Sequence, residues 1–189
     1  MRRGFKTWAE NEALDIRKEL DLTPIDPLPA RTVLTYLDVT VATPSQIPGL
    51  THATIIQLIK KDRSSWYALT FSVDGEIFLI HNDSHSPTRT ESNLMHEIAH
   101  IFCKHSPTQL INHISLPFLV RTFDIVQEEE ASWLGGCLQV PRIALLHCLS
   151  RRMTDDEIAT RYGASKALVR FRRNMTGVDL QLERARVFP

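Results

Sequence analysis

His96-Glu97-Ile98-Ala99-His100 is the stretch of sequence that decides the fold, because it predicts a helix and the face which that helix presents. Histidines four residues apart project from one face of a helix, about one turn from each other. Two imidazoles at that spacing can bind one Zn²⁺ ion. Glu97 lies about 100° further around the helix, where its carboxylate can hydrogen-bond a water at the open metal position. The stretch therefore predicts a metal site with a general base beside it.

The residues around this stretch favour a helix that packs on a core. An apolar stripe at helical spacing runs beside the histidines and consists of Leu94, Ile98, Ile101 and Phe102. Ser92 is a candidate for the residue that caps the helix start. The alternative is a half-exposed helix face on which the histidines bind nothing, since short motifs also occur by chance.

A catalytic zinc site usually takes three protein ligands and leaves a fourth position for water, so a third ligand is needed. One set of candidates comprises the other histidines, which are His52, His81, His85, His105, His113 and His147. The other candidate is the acidic run Glu128-Glu129-Glu130, which opens a predicted helix that ends before Pro141. Acids are favoured there by the helix dipole. An ordinary solvated helix start explains any one of these three glutamates without a metal.

The order of these segments resembles the ImmA/IrrE family of zinc metallopeptidases. In that family the HExxH helix is followed by a helix of the pattern E-x-E-A-N-x-F-A-x-x-L-L-x-P. The corresponding stretch here is Glu128-Glu129-Glu130-Ala131-Ser132-Trp133-Leu134-Gly135-Gly136-Cys137-Leu138-Gln139-Val140-Pro141. Alignment on Pro141 makes Glu128 the counterpart of the third zinc ligand and Glu130 its neighbour in the E-A pair.

The resemblance extends over roughly residues 8–175 in the order of segments, and its two specific parts are the HExxH helix and the helix that follows it. Ser132 stands where the family has Asn, and Trp133-Leu134-Gly135 replaces x-F-A. A weaker match is Pro24-Ile25-Asp26-Pro27, which corresponds to a similar segment near the start of the family's pattern.

This resemblance implies a zinc peptidase with His96, His100 and Glu128 as metal ligands and Glu97 as catalytic base. Glu97 would take a proton as water attacks a peptide carbonyl and would pass it to the leaving amine. The implied substrate is a protein, often a partner repressor of the helix-turn-helix kind, whose cleavage relieves repression. Two alternatives stay open: a DNA-binding regulator and a protein-interaction module, each with a structural or vestigial zinc site.

Composition limits the class of protein. The 189 residues are 43% hydrophobic, which suits one domain or one domain with a small appendage. The 22 basic and 22 acidic residues balance, so no net charge attracts the chain to nucleic acid or to an anionic membrane. Three widely spaced cysteines predict buried thiols in a reducing compartment. No segment approaches the ~20 apolar residues of a membrane span, and we expect a cytoplasmic protein.

Local patterns predict an α+β fold. Thr7-Trp8-Ala9-Glu10 has the form of a capping box and predicts a first helix that ends before Pro24. A second helix is expected over 32–37, since the resembled family places one there. Four strands are predicted, over 39–42, 55–60, 66–73 and 76–81, of which the last two form a hairpin at Asp74-Gly75. The prediction is a small, mostly antiparallel sheet packed with the HExxH helix and the helices after it.

Two segments near the expected site have open interpretations. The strand over 76–80 is either an edge strand that pairs with an extended peptide substrate or an ordinary buried strand. The 27 residues between His100 and Glu128 form either a lid or cleft wall or a covering segment without substrate contact. His105 and His113 in that segment are expected in exposed loops, with stabilisation of an oxyanion as the alternative.

The segment over 158–173 resembles a helix-turn-helix, because Ala159, Gly163 and Val169 have its spacing of small, turn and aliphatic residues. Basic residues surround it and could contact DNA phosphates: Arg161, Lys166, Arg170, Arg172 and Arg173. The favoured alternative is a helical hairpin that closes the peptidase fold. We therefore predict a metallopeptidase domain with its N-terminal helix over 1–150 and a helix-turn-helix-like extension over 151–189, packed on the same core.

Overall fold

The computed structural model describes residues 1–62, 64–105 and 124–187, so His113 and most of the segment interpreted as either a lid or a covering segment lie outside the described residues. The helices in these ranges are α1 (Phe5–Glu19), α2 (Ala30–Tyr36), α3 (His52–Ile56), α4 (Pro87–Phe102), α5 (Ile125–Gln139), α6 (Arg142–Ser150), α7 (Asp155–Arg161), α8 (Lys166–Thr176) and α9 (Val178–Val187). The strands are β1 (Val39–Ala42), β2 (Ala68–Val73) and β3 (Glu76–His81). The predicted α+β class is confirmed. None of the helices in the described ranges is both long and apolar enough to cross a membrane.

The three described strands form one sheet in the order β1-β3-β2. β2 and β3 are antiparallel and are joined by the predicted turn, in which Asp74 and Gly75 have φ angles of 51° and 88°. β1 is parallel to β3. The sheet is therefore mixed rather than mostly antiparallel, because β1 pairs with a strand that is not its neighbour in sequence. β3 is the central strand of the described sheet, which favours the interpretation of 76–80 as an ordinary strand over a substrate-pairing edge.

The predicted strand over 55–60 is helical in the structure. α3 ends at Ile56 and continues as a π-helical turn over Gln57–Lys61. The Thr51 side chain starts this segment, since its Oγ1 accepts a hydrogen bond from Thr54 N at 3.2 Å. A local cap of this kind satisfies a helix-start amide and outweighs the strand preference of a β-branched apolar run.

Two helices begin earlier than the sequence signals suggest. α1 starts at Phe5 after Gly4, whose left-handed φ of 79° suits glycine, so the capping box predicted at Thr7 is wrong. α4 starts at Pro87 with Ser86 before it, and proline is favoured at the first helical position because it has no amide hydrogen to satisfy. The second predicted helix is confirmed as α2.

Buried apolar residues form two clusters that meet at the carboxyl end of α5. The first joins α1, α2, the sheet, α4 and α5, and the second joins the helices from α6 onward. Two fully buried arginines donate hydrogen bonds to backbone carbonyls at the carboxyl end of α5. Arg17 Nη2 donates to Leu138 O at 2.7 Å, and Arg172 Nε donates to Val140 O at 3.0 Å. Cations at a helix carboxyl end are also favoured by its dipole. The domain division at residue 150 stays a prediction.

α7 and α8 adopt the predicted helix-turn-helix geometry. Ala159 and Val169 are buried between the two helices, and Gly163 in the turn has a φ of 58°. The first helix begins with a capping box, in which Glu157 N donates to Thr154 Oγ1 at 3.3 Å and the Glu157 carboxylate accepts from Thr154 N at 2.7 Å.

The basic residues of this pair face acids of the same protein. Arg170 Nε lies 3.2 Å from Asp155 Oδ2, and Arg173 bonds both Asp155 and Asp179. Lys166 Nζ lies 2.6 Å from Asp156 Oδ2. These three of the five basic side chains that were considered as contacts for DNA phosphates are therefore paired with carboxylates of the protein itself.

Candidate metal centre

α4 places the first two predicted ligands. His96 and His100 lie one turn apart with their ring centroids 4.7 Å apart, and their Nε2 atoms approach to 3.0 Å. Ile98 and Ala99 between them are fully buried in the first apolar cluster. The helix is thus fixed in rotation by its apolar face, and both imidazoles point their Nε2 atoms to one point.

α5 presents a single stripe of residues to α4, at the spacing of one helix face. Glu128 and Ser132 both lie beside His96. Glu128 Oε2 is 3.0 Å from His96 Nε2, and Ser132 Oγ is 3.5 Å from His96 Nδ1. Two turns on from Glu128, a Cβ at Gly135 would lie 3.1 Å from Met95 O. The absence of a side chain at Gly135 therefore lets the two helix backbones approach closely beneath the site.

The three predicted ligands converge. Glu128 Oε2 lies 3.0 Å from His96 Nε2, Glu128 Oε1 lies 3.5 Å from His100 Nε2, and one donor atom of each residue lies within 4.8 Å of the other two. Ligands about 2.0 to 2.1 Å from a tetrahedral zinc ion are about 3.3 Å from one another. The chemistry and spacing of this donor set therefore fit Zn²⁺.

Glu97 is buried, with 7% of its surface exposed, and lies next to His96 on α4. Thr70 on β2 donates its hydroxyl hydrogen to Glu97 Oε2 at 2.7 Å. This hydrogen bond limits the rotation of the Glu97 side chain. β2 thus contributes directly to the position of the predicted base.

Two cavities lie along β2 on either side of Glu97. One has a volume of about 520 Å³ and is lined by Tyr67, Ser92, Asn93, Glu128 and neighbouring residues. The other is smaller, about 190 Å³, and lies between Thr70, Ser72, His100 and their neighbours. Residues of both β2 and α4 line each cavity, and the surface between these two elements is here called the groove. β2 is an outer strand of the described sheet.

The other candidate histidines in the described ranges have different surroundings. His52 lies on exposed α3 and His147 lies on α6. His81 is buried in β3 with Nε2 3.3 Å from Arg31 Nη2, and burial, with the charge of Arg31, lowers its pKa. His85 Nδ1 lies 3.2 Å from a side-chain amide of α4. The structure brings none of these four into the group of converging donors.

His105 lies behind His100 and not in an exposed loop, so that prediction is wrong for this residue. Its side chain is 6% exposed, and its Nδ1 lies 2.8 Å from His100 Nδ1. Its Nε2 lies 3.4 Å from Glu130 Oε2. Burial would raise the pKa of Glu130, but hydrogen bonds from Arg2 and His105 outweigh it and hold that pKa below its ordinary value.

Sequence reasoning missed Thr70, Arg2 and the contact between His105 and His100. Strand alternation places Ala68, Thr70 and Ser72 on one face of β2. It does not show which element that face meets. Arg2 is more than a hundred residues from its partner Glu130, and its only signal was a basic residue near the start of the chain. These contacts depend on packing between elements that are distant in sequence.

Two histidines of an HExxH helix with a glutamate of the next helix form the ligand set of the His₂Glu class of zinc metallopeptidases. The chain belongs to the Peptidase_M78 family, since the family model described as the IrrE N-terminal-like domain matches residues 54–174. This match covers both α4 and α5 and confirms the family resemblance found in the sequence. No curated protein and no solved structure matches the chain significantly.

Proposed function

We propose that this protein is a zinc-dependent peptidase that cleaves a protein substrate, with His96, His100 and Glu128 as metal ligands and Glu97 as the catalytic base. The observation that carries the proposal is the convergence of the three donor groups beside a buried glutamate in a groove. Membership of a peptidase family supports the class of reaction. The cytoplasmic location stays a prediction from the sequence.

Each residue has a separate task in this proposal. Zinc bound by the three ligands supplies Lewis acidity, which lowers the pKa of a water molecule toward ~7 and polarises a carbonyl. Glu97 accepts a proton from the attacking water and delivers it to the amine that leaves. The Thr70 hydroxyl holds the Glu97 carboxylate in place for both transfers, since it donates to Oε2 at 2.7 Å.

The groove suggests how a peptide would bind. An extended segment beside β2 would add a strand to the outer edge of the described sheet, with main-chain hydrogen bonds that hold it over Glu97 and the ligands. Tyr67, which is 49% exposed, lies at one end of the groove and is available for contact with a substrate side chain. A helix-turn-helix repressor as substrate is suggested by the family resemblance alone.

DNA binding by α7 and α8 is the less favoured alternative. Arg172 is fully buried, and Arg170, Arg173 and Lys166 are within 3.2 Å of carboxylates of the same chain. A contact with phosphate would have to replace these ion pairs, which reduces its gain.

The proposal is tested with Glu97→Gln, which keeps the size of the side chain and the acceptor for Thr70 but removes the base. We expect unchanged zinc content and a cleavage rate at least ~10²-fold lower. The substrates are fluorescent casein and the product of the neighbouring gene if that gene encodes a repressor, with fragments identified by mass spectrometry. Glu129→Gln is the matched control, because its side chain is 57% exposed on α5 beside the ligand. A parental cleavage rate in Glu97→Gln would remove Glu97 from the mechanism.

A further inference from the structure

We propose that His105, Glu130 and Arg2 form a hydrogen-bonded chain, here called the His105 relay, that positions His100 as a metal ligand. This inference rests on the zinc site proposed above. The relay lies on the side of His100 that faces away from Glu128, because His100 Nε2 lies 3.5 Å from Glu128 and Nδ1 lies 2.8 Å from His105.

The backbone places His105 against His100. α4 ends at Phe102, and Lys104 has a left-handed φ of 52°. His105 N then donates to His100 O at 3.1 Å, which folds the chain back over the last turn of the helix. The two rings meet edge to face, with centroids 4.9 Å apart. A histidine five residues on would leave the ligand face of a continuous helix, so the turn at Lys104 is what brings it back.

The proton positions follow from ligation. A neutral imidazole that binds metal through Nε2 carries its hydrogen on Nδ1, so His100 Nδ1–H donates to His105 Nδ1. His105 then carries its own hydrogen on Nε2, which faces Glu130 Oε2 at 3.4 Å. One tautomer of each ring satisfies both contacts. The relay therefore selects the form of His100 whose Nε2 lone pair is available for zinc.

Arg2 fixes the carboxylate at the end of the relay. Arg2 N and Nε donate to Glu130 Oε1 at 2.8 and 3.0 Å, and Arg2 Nη2 lies 2.9 Å from Oε2. The Glu130 side chain is 3% exposed, so its charge is held inside the protein with Arg2 as its cation. Both carboxylate oxygens are thereby oriented, one of them toward His105.

The two zinc-binding histidines differ in this support. His96 has Ser132 Oγ 3.5 Å from its Nδ1, where the resembled family has Asn, and its side chain is 28% exposed. The His100 side chain is 1% exposed and has the relay behind it. We infer that His100 is the ligand held in advance of metal binding, and that the relay determines zinc affinity more than Ser132 does.

The relay is tested with His105→Gln and His105→Phe. The glutamine amide can accept from His100 and donate to Glu130, whereas phenylalanine fills the space without a hydrogen bond. Zinc affinity is measured by competition with a chelator, and the melting temperature of the metal-free protein reports folding. We expect His105→Phe to bind zinc about 10- to 100-fold more weakly than the parent. The zinc affinity of His105→Gln should stay close to that of the parent, because glutamine keeps the hydrogen bonds to His100 and Glu130. Equal affinity of His105→Phe and the parent would overturn the proposal.

A second pair of variants tests the end of the relay. Arg2→Ala removes the side-chain contacts with Glu130, and Arg3→Ala is its matched control because Arg3 is an exposed neighbour of the same type. We expect a loss in zinc affinity of up to about fivefold for Arg2→Ala and none for Arg3→Ala, since the Arg2 side chain is 61% exposed. Equal effects of the two changes would remove Arg2 from the relay.

A spectroscopic measurement separates positioning from simple packing. In the zinc-loaded protein, ¹⁵N chemical shifts of the rings are expected to show the hydrogen on Nδ1 of His100 and on Nε2 of His105. The opposite tautomer of His105 would overturn the relay even if its removal weakens binding. If the parent itself binds no zinc, the proposed function fails; if the parent binds zinc and His105→Phe binds it equally well, only the relay fails.

Discussion

The α4–α5 centre and the C-terminal pair α7–α8 both hold several polar groups close together, but they differ in how charge is balanced. In the centre, two ring nitrogens and a carboxylate converge at 3.0 to 3.5 Å from one another. In the pair, Arg170 and Arg173 face Asp155, so each of these charges has its opposite in the protein. The first arrangement suits a metal ion, whereas the second pairs opposite charges within the protein.

This difference separates a binding site from a structural network. Both regions stand out in the sequence as groups of ionisable residues, with a metal site predicted for the first and a structural helical hairpin favoured for the second. In the structure, the directions of the polar groups distinguish them, because converging ligand groups attract a metal ion and alternating charges neutralise one another. Removal of a charged side chain is therefore expected to abolish metal binding in the centre and to change stability only slightly in the C-terminal pair.

The largest effect is expected from Glu128→Ala, which removes a ligand from the centre. We expect the purified variant to contain no stoichiometric zinc, because two histidines alone leave the set incomplete. Glu129→Ala, one residue further and exposed, keeps one zinc per chain. Metal analysis of both variants measures this. Full zinc in Glu128→Ala would show that the alignment on Pro141 gives the wrong register and would place the third ligand elsewhere.

A smaller effect is expected from the apolar contact of the C-terminal pair. Val169 is fully buried, so Val169→Ala should lower the free energy of unfolding by about 0.5 to 3 kcal/mol, measured by urea titration. Arg170→Ala, whose side chain is 63% exposed, should change it by less than about 1 kcal/mol. If the parent forms a salt-sensitive complex with duplex DNA and Arg170→Ala abolishes it, the C-terminal pair binds DNA and is not a purely structural network.

The smallest effect concerns Asp155 and depends on pH. Burial would raise its pKa, but hydrogen bonds from Arg173 and Arg170 outweigh it, so the pKa is lowered in the folded protein. The stabilisation is therefore complete above the unfolded pKa of about 3.9 and is lost as pH falls through the lower folded value. Asp155→Asn should cost about 0.5 to 1 kcal/mol at pH 7, and this difference should shrink below about pH 4.

Denaturant titrations at several pH values measure the Asp155 effect. Asp156→Asn is the control, since the Asp156 side chain is 71% exposed and its pair with Lys166 lies in solvent. A difference between Asp155→Asn and the parent that persists unchanged at low pH would show that the side chain acts through packing and not through its charge.

Secondary structure was predicted most successfully from the sequence where several local signals agree. α4 has a helical apolar pattern, and the helix period places His96 and His100 on one face of it. The extent of α5 was indicated by the acids at its start and by Pro141 after its end, whereas the choice of Glu128 as a ligand rested on the family resemblance. The hairpin of β2 and β3 follows from Asp74-Gly75. In these cases, the information lies within one or two turns of the residues concerned, so a single sequence carries it.

Two of the failures have a common physical cause. The parallel pairing of β1 with β3 joins residues 38 positions apart, Val39 and Ile77 for example, and nothing near either strand indicates it. The same is true of Thr70 and Glu97, which meet because the sheet packs on α4. The strand predicted over 55–60 failed for a different reason, since the cap at Thr51 outweighed an apolar run of ambiguous period.

Gly135 has a consequence for the geometry of the proposed zinc site. A Cβ there would lie 3.1 to 3.3 Å from the backbone of Met95 and His96, so this residue sets how far apart α4 and α5 lie. The separation of the helices in turn sets the distance from His96 Nε2 to Glu128 Oε2, which is 3.0 Å. The shape of the proposed site therefore depends partly on a residue that would itself touch no ion.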